Sequence, residues 1–245
     1  GENLVLVKMK YSYVCGSQIN EWQGKRGKDN YLPHTLGHEG CGEIVNVGKK
    51  VRKVKKGDEV LISWIKDSSK CNYNKFSYVD KNNNVINTGP VSTFLNYTIV
   101  PTDRIYKLKK NQYNKISALF GCAMPTGVGM AMKILKKASK KDLIIIFGVG
   151  GIGIITLATL IFYNFKNIIV IDKDKNKLSL SKKMGALQCL SLNDLEKKIS
   201  QKKINIENIG ATIECSGNIK LIECAFKYLK KNGVCVIGGN VKFGT

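Results

Sequence analysis

The sequence predicts an α/β protein: a stretch of irregular β structure followed by a doubly wound parallel sheet covered by helices. Three observations carry this. A short β-branched run, Leu143–Phe147, leads straight into the Gly-rich turn Gly148-Val149-Gly150-Gly151-Ile152-Gly153 and then an apolar helical stretch. Beyond Pro101, short apolar strands alternate with helix-length segments, which requires a parallel sheet with crossover helices. Before Pro101, short alternating stretches are separated by turn residues, as in antiparallel β structure.

In the first part, Val5, Val7, Met9, Tyr11 and Tyr13 alternate with Leu6, Lys8, Lys10 and Ser12, which reads as a strand. Strand-like pieces follow at Glu43–Val47, Glu59–Ser63 and Phe94–Val100, with Gly48 and Gly57-Asp58 as turns and exposed loops at 27–30 and 80–84. After Pro101 the reading is helix 125–138, strand 143–147, helix 151–163, strand 168–171 and helix 175–184 capped by Gly185. A short strand at 187–190, a polar helix at 193–202, strand 211–215, helix 219–231 and strand 234–237 complete it. One strand fewer is counted than a doubly wound sheet normally has, so both ends are expected to be cut and the 245 residues to be incomplete as an enzyme.

Composition narrows the possibilities. Hydrophobic residues make up 43% of the chain, enough for a sizeable core. Forty Lys+Arg against 18 Asp+Glu give a formal charge of +22, a charge that attracts anionic surfaces. Only Arg26, Arg52 and Arg104 are arginines, and no interleaved aromatic and Arg motif accompanies the lysines. The charge therefore reads as a solvated surface rather than a nucleic-acid site. The eight cysteines are widely spaced and no secretory signal precedes them, which fits a reduced, cytoplasmic protein. Leu143 to Phe165 carries no charge and has the length of a membrane span. Its four glycines within six positions make it a buried strand, a turn and a buried helix instead.

The Gly-rich turn matches G-x-G-x-x-G in the context that gives the pattern meaning, strand before and helix after. The first glycine (Gly148) allows the tight turn, the second (Gly150) lets the backbone approach a pyrophosphate, and the third (Gly153) lets helix and strand pack closely. The phosphates would lie at the helix N-terminus, where N–H groups and the helix dipole favour negative charge. The next strand ends in Asp172, nineteen residues after Gly153. A carboxylate there accepts hydrogen bonds from both ribose hydroxyls of NAD and repels the 2′-phosphate of NADP. Lys173 softens that repulsion, and an ordinary strand-end turn is the alternative role for Asp172.

Cys15, His38 and Cys122 are candidate metal ligands. Singly, each has a plain packing role, and no short-range C-x-x-C spacing links them. The segments Val14-Cys15-Gly16-Ser17, Leu36-Gly37-His38-Glu39-Gly40, Val54-Lys55-Lys56-Gly57-Asp58-Glu59-Val60 and Gly121-Cys122-Ala123-Met124-Pro125-Thr126-Gly127 precede the Gly-rich turn in that order. Together they resemble the zinc-dependent medium-chain dehydrogenase/reductase family, the alcohol and polyol dehydrogenases. The likeness covers nearly the whole chain except about 65–91.

The resemblance implies a GroES-like irregular β-barrel catalytic domain over 1–123 and a Rossmann dinucleotide-binding domain over 124–245. It implies one catalytic Zn²⁺ held by Cys15, His38 and Cys122, with a fourth position open. Zinc would favour the alkoxide of an alcohol, and hydride would pass to a nicotinamide ring. Ser17 would take the alcohol proton, and Glu39 would tune the metal from behind. The cofactor would be contacted by Thr126, Gly148, Gly150, Gly151, Ile152, Gly153, Asp172, Lys177, Cys215 with Ser216 and Gly217, and Gly238 with Ile237. A small-molecule alcohol or carbonyl substrate and a homo-oligomer, dimer or tetramer, complete the expectation, with no nucleic-acid or membrane partner.

Two departures bear on the proton route. Gln18 stands where many relatives have an acidic residue, and Asn20 where the relay often ends on a His. The family's structural zinc needs four closely spaced cysteines, and only Cys71 lies in that lobe, so no structural zinc is expected. His34 reads as a loop residue. Two other readings compete. A zinc-free quinone- or enone-reductase-like relative is opposed by the presence of all three ligand candidates. A non-catalytic nucleotide- or nucleic-acid-binding protein has only the +22 charge in its favour.

Overall fold

The computed structural model describes residues 1–67, 71, 75–109, 115–242 and 244. The chain divides into two compact units, Gly1–Cys122 and Ala123–Thr245.

In the first unit the strands are β1 (Leu4–Ser12), β2 (Gly40–Val47), β3 (Glu59–Ile62), β4 (Tyr78–Val79), β5 (Val85–Ile86), β6 (Tyr97–Pro101) and β7 (Ile105–Lys107), with one short helix, α1 (Gly16–Trp22). Five strands form an antiparallel sheet in the order β6-β1-β2-β3-β7, and β4 pairs with β5 in a separate ribbon. The alternation read at 5–13 is the period-2 signature of β1: Val5 and Val7 pack with Ile44, Val60, Ile62, Val100 and Ile105 in one apolar core. Several elements have no counterpart in the sequence reading: α1, the β4–β5 ribbon, the short β7, and the 3-10 turns at Thr102–Arg104 and Lys115–Gly121. None has enough turns or alternation to register as a period. α1 also lacks a Ser, Thr, Asp or Asn N-cap; Gln18 Oε1 instead accepts from the Cys15 N–H at 3.0 Å, satisfying one of the free donors at the helix start.

In the second unit, α2 (Ala123–Leu135), β8 (Leu143–Phe147), α3 (Gly151–Phe162), β9 (Ile168–Ile171), α4 (Lys175–Met184), β10 (Gln188–Leu190), α5 (Leu192–Ser200), β11 (Ile209–Glu214), α6 (Ile219–Lys227) and β12 (Val234–Ile237) follow in order. The sheet is parallel throughout, in the order β10-β9-β8-β11-β12. Alternate residues of the apolar strands face opposite layers. Ile144, Ile146, Ile168 and Val170 pack with Met130 and Ile134 of α2 and Leu157 and Leu160 of α3. Ile145, Phe147, Ile169 and Ile171 pack with Leu195 of α5 and Cys224 and Ala225 of α6. Burial on both faces is why these strands read as continuous hydrophobic runs rather than as alternations. The uncharged run from Leu143 is β8, the Gly-rich turn and α3, and among the described residues no single helix is long and apolar enough to cross a membrane.

The strand order reverses between β8 and β11, neighbours in the sheet but not in sequence. A crevice opens at such a switch point, beyond the carboxyl ends of the strands. Gly148 follows β8 and Cys215 follows β11, so these two predicted dinucleotide residues lie at that point.

Candidate metal and dinucleotide sites

Sheet register brings the three metal-ligand candidates to one end of the first unit. Ser12 at the end of β1 pairs with Gly40 at the start of β2, so Cys15 and His38 leave the ladder from the same edge. Gly40 also pairs with Ile62, the last residue of β3. Just beyond it, the Ser63 hydroxyl donates to the Gly121 carbonyl at 2.7 Å, and the Trp64 N–H donates to the same oxygen at 3.1 Å. Gly121 is required there: a Cβ would stand 2.4 Å from the Ile62 carbonyl oxygen and 2.7 Å from the Glu39 Cβ. Only hydrogen in that place lets the chain bring Cys122 up beside His38.

The ligand atoms of Cys15, His38 and Cys122 all lie within 4.8 Å of one another, and all three residues are half-buried. Ligand distances of about 2.0–2.3 Å around a tetrahedral zinc place its ligand atoms about 3.5–3.8 Å apart, so the cluster is of the right size. The Cys15 thiol is lowered from its ordinary 9.0 to about 3, chiefly by the Cys122 thiol, then by the His38 ring, and with help from Ser17. The shift favours the thiolate, the form that binds metal. His38 Nε2 is buried with no hydrogen-bond partner, a costly arrangement that a bound cation would relieve. Two sulfurs and an imidazole nitrogen are a donor set suited to zinc.

Around the cluster, Glu39 is buried, and its carbonyl accepts from the Ser12 and Thr93 hydroxyls at 3.0 and 3.1 Å, fixing the backbone that carries His38. Ser17 is half-buried in the first turn of α1. Gln18 is 4% exposed and spent on capping α1. The Trp64 ring lies 5.8 Å from the His38 ring, with the Arg104 guanidinium 5.8 Å above it. Cys71 is elsewhere, against Thr102 Oγ1 at 3.3 Å and the Asn3 carbonyl.

In the second unit, Gly148 adopts φ +85°, a conformation that L side chains rarely enter. A Cβ on Gly153 would stand 2.1 Å from the Gly148 carbonyl oxygen, so α3 approaches the turn as closely as a glycine permits. Added Cβ atoms at Gly150 and Gly151 would meet nothing within 4 Å, so the space beside these two glycines is open. Ile152 turns toward the core.

Asp172 has a local job that the sequence left as an alternative: Oδ2 accepts from the Val149 N–H at 2.9 Å and Oδ1 from the Asp174 N–H at 3.0 Å. Each oxygen retains a second acceptor site, so the carboxylate anchored to the Gly-rich turn keeps spare hydrogen-bonding capacity. Lys177 is exposed on α4, with Nζ 3.9 Å from Asp174 Oδ2. Cys215 is held by its N–H on the Phe147 carbonyl at 2.8 Å, and burial pushes its thiol up to about 12. The Gly238 N–H donates to the Glu214 carbonyl at 2.8 Å, and Thr126 is half-buried on α2.

Sequence reasoning missed Glu214. Its side chain is fully buried, and Oε1 accepts from the Ser216 N–H at 2.7 Å, the Gly217 N–H at 3.0 Å and the Ser216 hydroxyl at 2.5 Å. It shapes the turn that abuts Gly148, where an added Cβ would meet the Ser216 Cβ at 2.9 Å. The signal was present: one acidic residue, Glu214, ends a mostly apolar strand, with only Cys215 between it and Ser216-Gly217.

Comparison with known proteins decides the family. The pattern described as "Alcohol dehydrogenase GroES-like domain" matches residues 1–110, and that described as "Zinc-binding dehydrogenase" matches residues 151–245. The chain belongs to the zinc-binding medium-chain alcohol dehydrogenase family. It is 29% identical over 269 residues to alcohol dehydrogenase 6 of Peromyscus maniculatus, covering 97% of this chain and 69% of that one. It is 28% identical over 248 residues to an S-(hydroxymethyl)glutathione dehydrogenase of Photobacterium damsela subsp. piscicida, covering 91% and 67%. The solved benzyl alcohol dehydrogenase of Acinetobacter calcoaceticus shares the fold, with a TM-score of 0.83 at 23% identity over 99% of this chain and 71% of that one. The alcohol dehydrogenase relatives mark the chain as an oxidoreductase of the kind acting on CH–OH groups. Membership of a zinc-binding dehydrogenase family implies a zinc ion and a nicotinamide cofactor.

Proposed function

We propose that this chain carries the zinc and NAD sites of a dehydrogenase that interconverts a small alcohol or polyol, a sugar-derived alcohol included, with the corresponding carbonyl compound. The observation that carries the reading is the convergence of Cys15, His38 and Cys122, with His38 Nε2 buried and without a hydrogen-bond partner. When bound, zinc supplies a Lewis acid for the substrate oxygen and NAD⁺ the acceptor for the carbinol hydride.

The chain's own residues do the rest. Cys15, His38 and Cys122 are the metal ligands, and Glu39 tunes the centre from behind. Ser17 Oγ, two positions after Cys15, takes up the proton that the alcohol releases. Gln18 is committed to capping α1, so the proton passes from Ser17 to water. Gly148, Gly150, Gly151, Ile152 and Gly153 form the diphosphate turn. Asp172 binds the ribose and favours NAD over NADP, with Lys177 beside it. Thr126, Cys215 and Gly238 line the cofactor. One zinc per chain and no four-cysteine zinc belong to this reading, since Cys71 is the only cysteine between Cys41 and Cys122. So do self-association into a dimer or tetramer and a cytoplasmic location, a reducing compartment that suits eight free cysteines.

The test is metal analysis of the purified full-length natural protein, with a screen for alcohol oxidation linked to NAD reduction. Bound zinc and turnover of at least one alcohol are expected. Absence of both would falsify the reading.

A further inference from the structure

A second cluster of ligand-type side chains stands apart from Cys15, His38 and Cys122. Glu21 lies near the end of α1, and Asp29 and His34 lie on the loop that follows it. Their ligand atoms are within 4.8 Å of one another. His34 Nε2 is 2.6 Å from Asp29 Oδ2 and 3.7 Å from Glu21 Oε1, and His34 Nδ1 is 3.1 Å from the Thr35 carbonyl oxygen.

The chemistry of these contacts is restrictive. A carbonyl oxygen only accepts, so Nδ1 carries hydrogen. In the neutral ring Nε2 is then a bare lone pair, facing two carboxylates that also only accept. Three such groups turned toward one point require a cation there, either a proton on Nε2 or a metal ion. A histidine whose other ring nitrogen donates to a backbone carbonyl is the usual form of a metal-ligating histidine.

The cluster is held in place by the chain around it. Asp29 Oδ1 accepts from the Tyr31 N–H at 2.8 Å, leaving Oδ2 for His34. The Asn87 N–H donates to the Pro33 carbonyl at 2.9 Å, its carbonyl accepts from the Thr35 N–H at 3.0 Å, and its side-chain amide donates to the Tyr31 carbonyl at 2.7 Å. The His34 side chain is 12% exposed, while Asp29 and Glu21 are 25% and 29% exposed, so an ion has access and can keep water.

We propose that Glu21, Asp29 and His34 form a second divalent-cation site, which takes a zinc-class transition ion in place of the His34 Nε2 proton. One imidazole nitrogen and two carboxylate oxygens, with no sulfur, suit Zn²⁺, Co²⁺ or Mn²⁺ with water completing the coordination. Binding is an exchange: the ion enters, one proton leaves Nε2, and no electron moves. The charged groups facing His34 are Asp29 and Glu21, with Arg26 beyond them, its Nη1 3.6 Å from Glu21 Oε2, the oxygen that does not point at His34. Burial alone would lower the His34 pKa, but the Thr35 carbonyl, Asp29 and Glu21 outweigh it and raise it above the ordinary 6.5. Affinity should therefore climb as pH rises through the His34 pKa. The bound ion would join the end of α1 to the segment leading into His38.

The experiment is a Co²⁺ titration of the metal-stripped full-length protein, read by absorption and metal analysis. Thiolate-bound Co²⁺ has a sulfur charge-transfer band that an N/O site lacks. The wild type should take up about two equivalents, one with the band and one without. Asp29→Asn, which keeps the acceptor for the Tyr31 N–H, should take up about one and keep the band, and His34→Ala should match it. Cys15→Ser should retain about one equivalent without the band. A single, band-bearing equivalent in the wild type, unchanged in Asp29→Asn, overturns the proposal. Loss of an equivalent in Asp29→Asn with no band in the wild type would uphold it while sinking the function proposed above.

Discussion

The two units assemble their candidate sites in opposite ways. In the second, the glycines from 148 to 153 and Asp172 belong to one β8–α3–β9 run, and the Val149 N–H to Asp172 bond ties its two ends together. In the first, Cys15, His38 and Cys122 are spread over more than a hundred positions and meet only because the end of β1, the start of β2 and the end of β3 lie in register. A site built from one supersecondary unit survives as long as that unit forms. A site built across a sheet depends on every strand that positions it, and on close approaches such as that of Gly121 to Glu39.

The difference can be broken open by mutation. The largest effect should come from Cys15→Ser. Loss of a thiolate ligand should cost at least about 10²–10³-fold in turnover, the scale of losing a main electrostatic stabiliser. Metal content should fall while NADH binding, followed by fluorescence, stays within about twofold, a change under ~0.5 kcal/mol. Loss of both together would mean the two sites are not separable.

Gly153→Ala should do the reverse. Its Cβ would collide with the Gly148 carbonyl at 2.1 Å, so stability should drop by about 1–3 kcal/mol and NADH affinity with it. Zinc content should hold. Unfolding curves and calorimetric cofactor binding read both, and an undisturbed variant would show that the turn is looser than its contacts imply.

Asp172→Asn should be milder. It keeps an acceptor for one of the two N–H groups but removes the charge. NAD affinity should weaken by about tenfold, ~1.4 kcal/mol, and discrimination against NADP should shrink similarly. Kinetics with both cofactors decide this, and a wild type that already prefers NADP would remove the role assigned to Asp172.

The smallest effect concerns Asp142, just before β8, paired with Lys230. Burial raises its pKa, but the Lys230 ammonium and the Ser139 N–H outweigh that and hold it below 3.8. A lowered folded pKa contributes stability that is present above 3.8 and lost as pH falls through the folded value. Asp142→Asn should cost about 0.5–1 kcal/mol at neutral pH, discounted for partial exposure. The gap from wild type should close in acid, as denaturant midpoints at several pH values would reveal.

Much of the second unit was legible because its determinants are local. The β-branched runs of β8 and β9 match the sequence reading to the residue, as does α4 with its Gly185 cap in the left-handed conformation. Glu214 escaped because its partners, the N–H groups of Ser216 and Gly217, become visible only once the turn after β11 is formed. In the first unit, α1 escaped because seven residues give too few turns for a period, and its cap is a glutamine amide. His34 read as a loop residue because nothing in the sequence links it to Asp29 and Glu21.

By itself, then, the sequence determined the parallel sheet, the Gly-rich turn and the acid at the end of β9, since strand period, glycine sterics and helix capping act over a few residues. It also nominated Cys15, His38 and Cys122, but through resemblance rather than spacing. Only the tertiary structure decided that their ligand atoms meet, that Asp172 is anchored to the turn it serves, and that His34 faces two carboxylates. Those outcomes depend on sheet register and loop closure, which bring together groups whose separation along the chain carries no information about their distance in space.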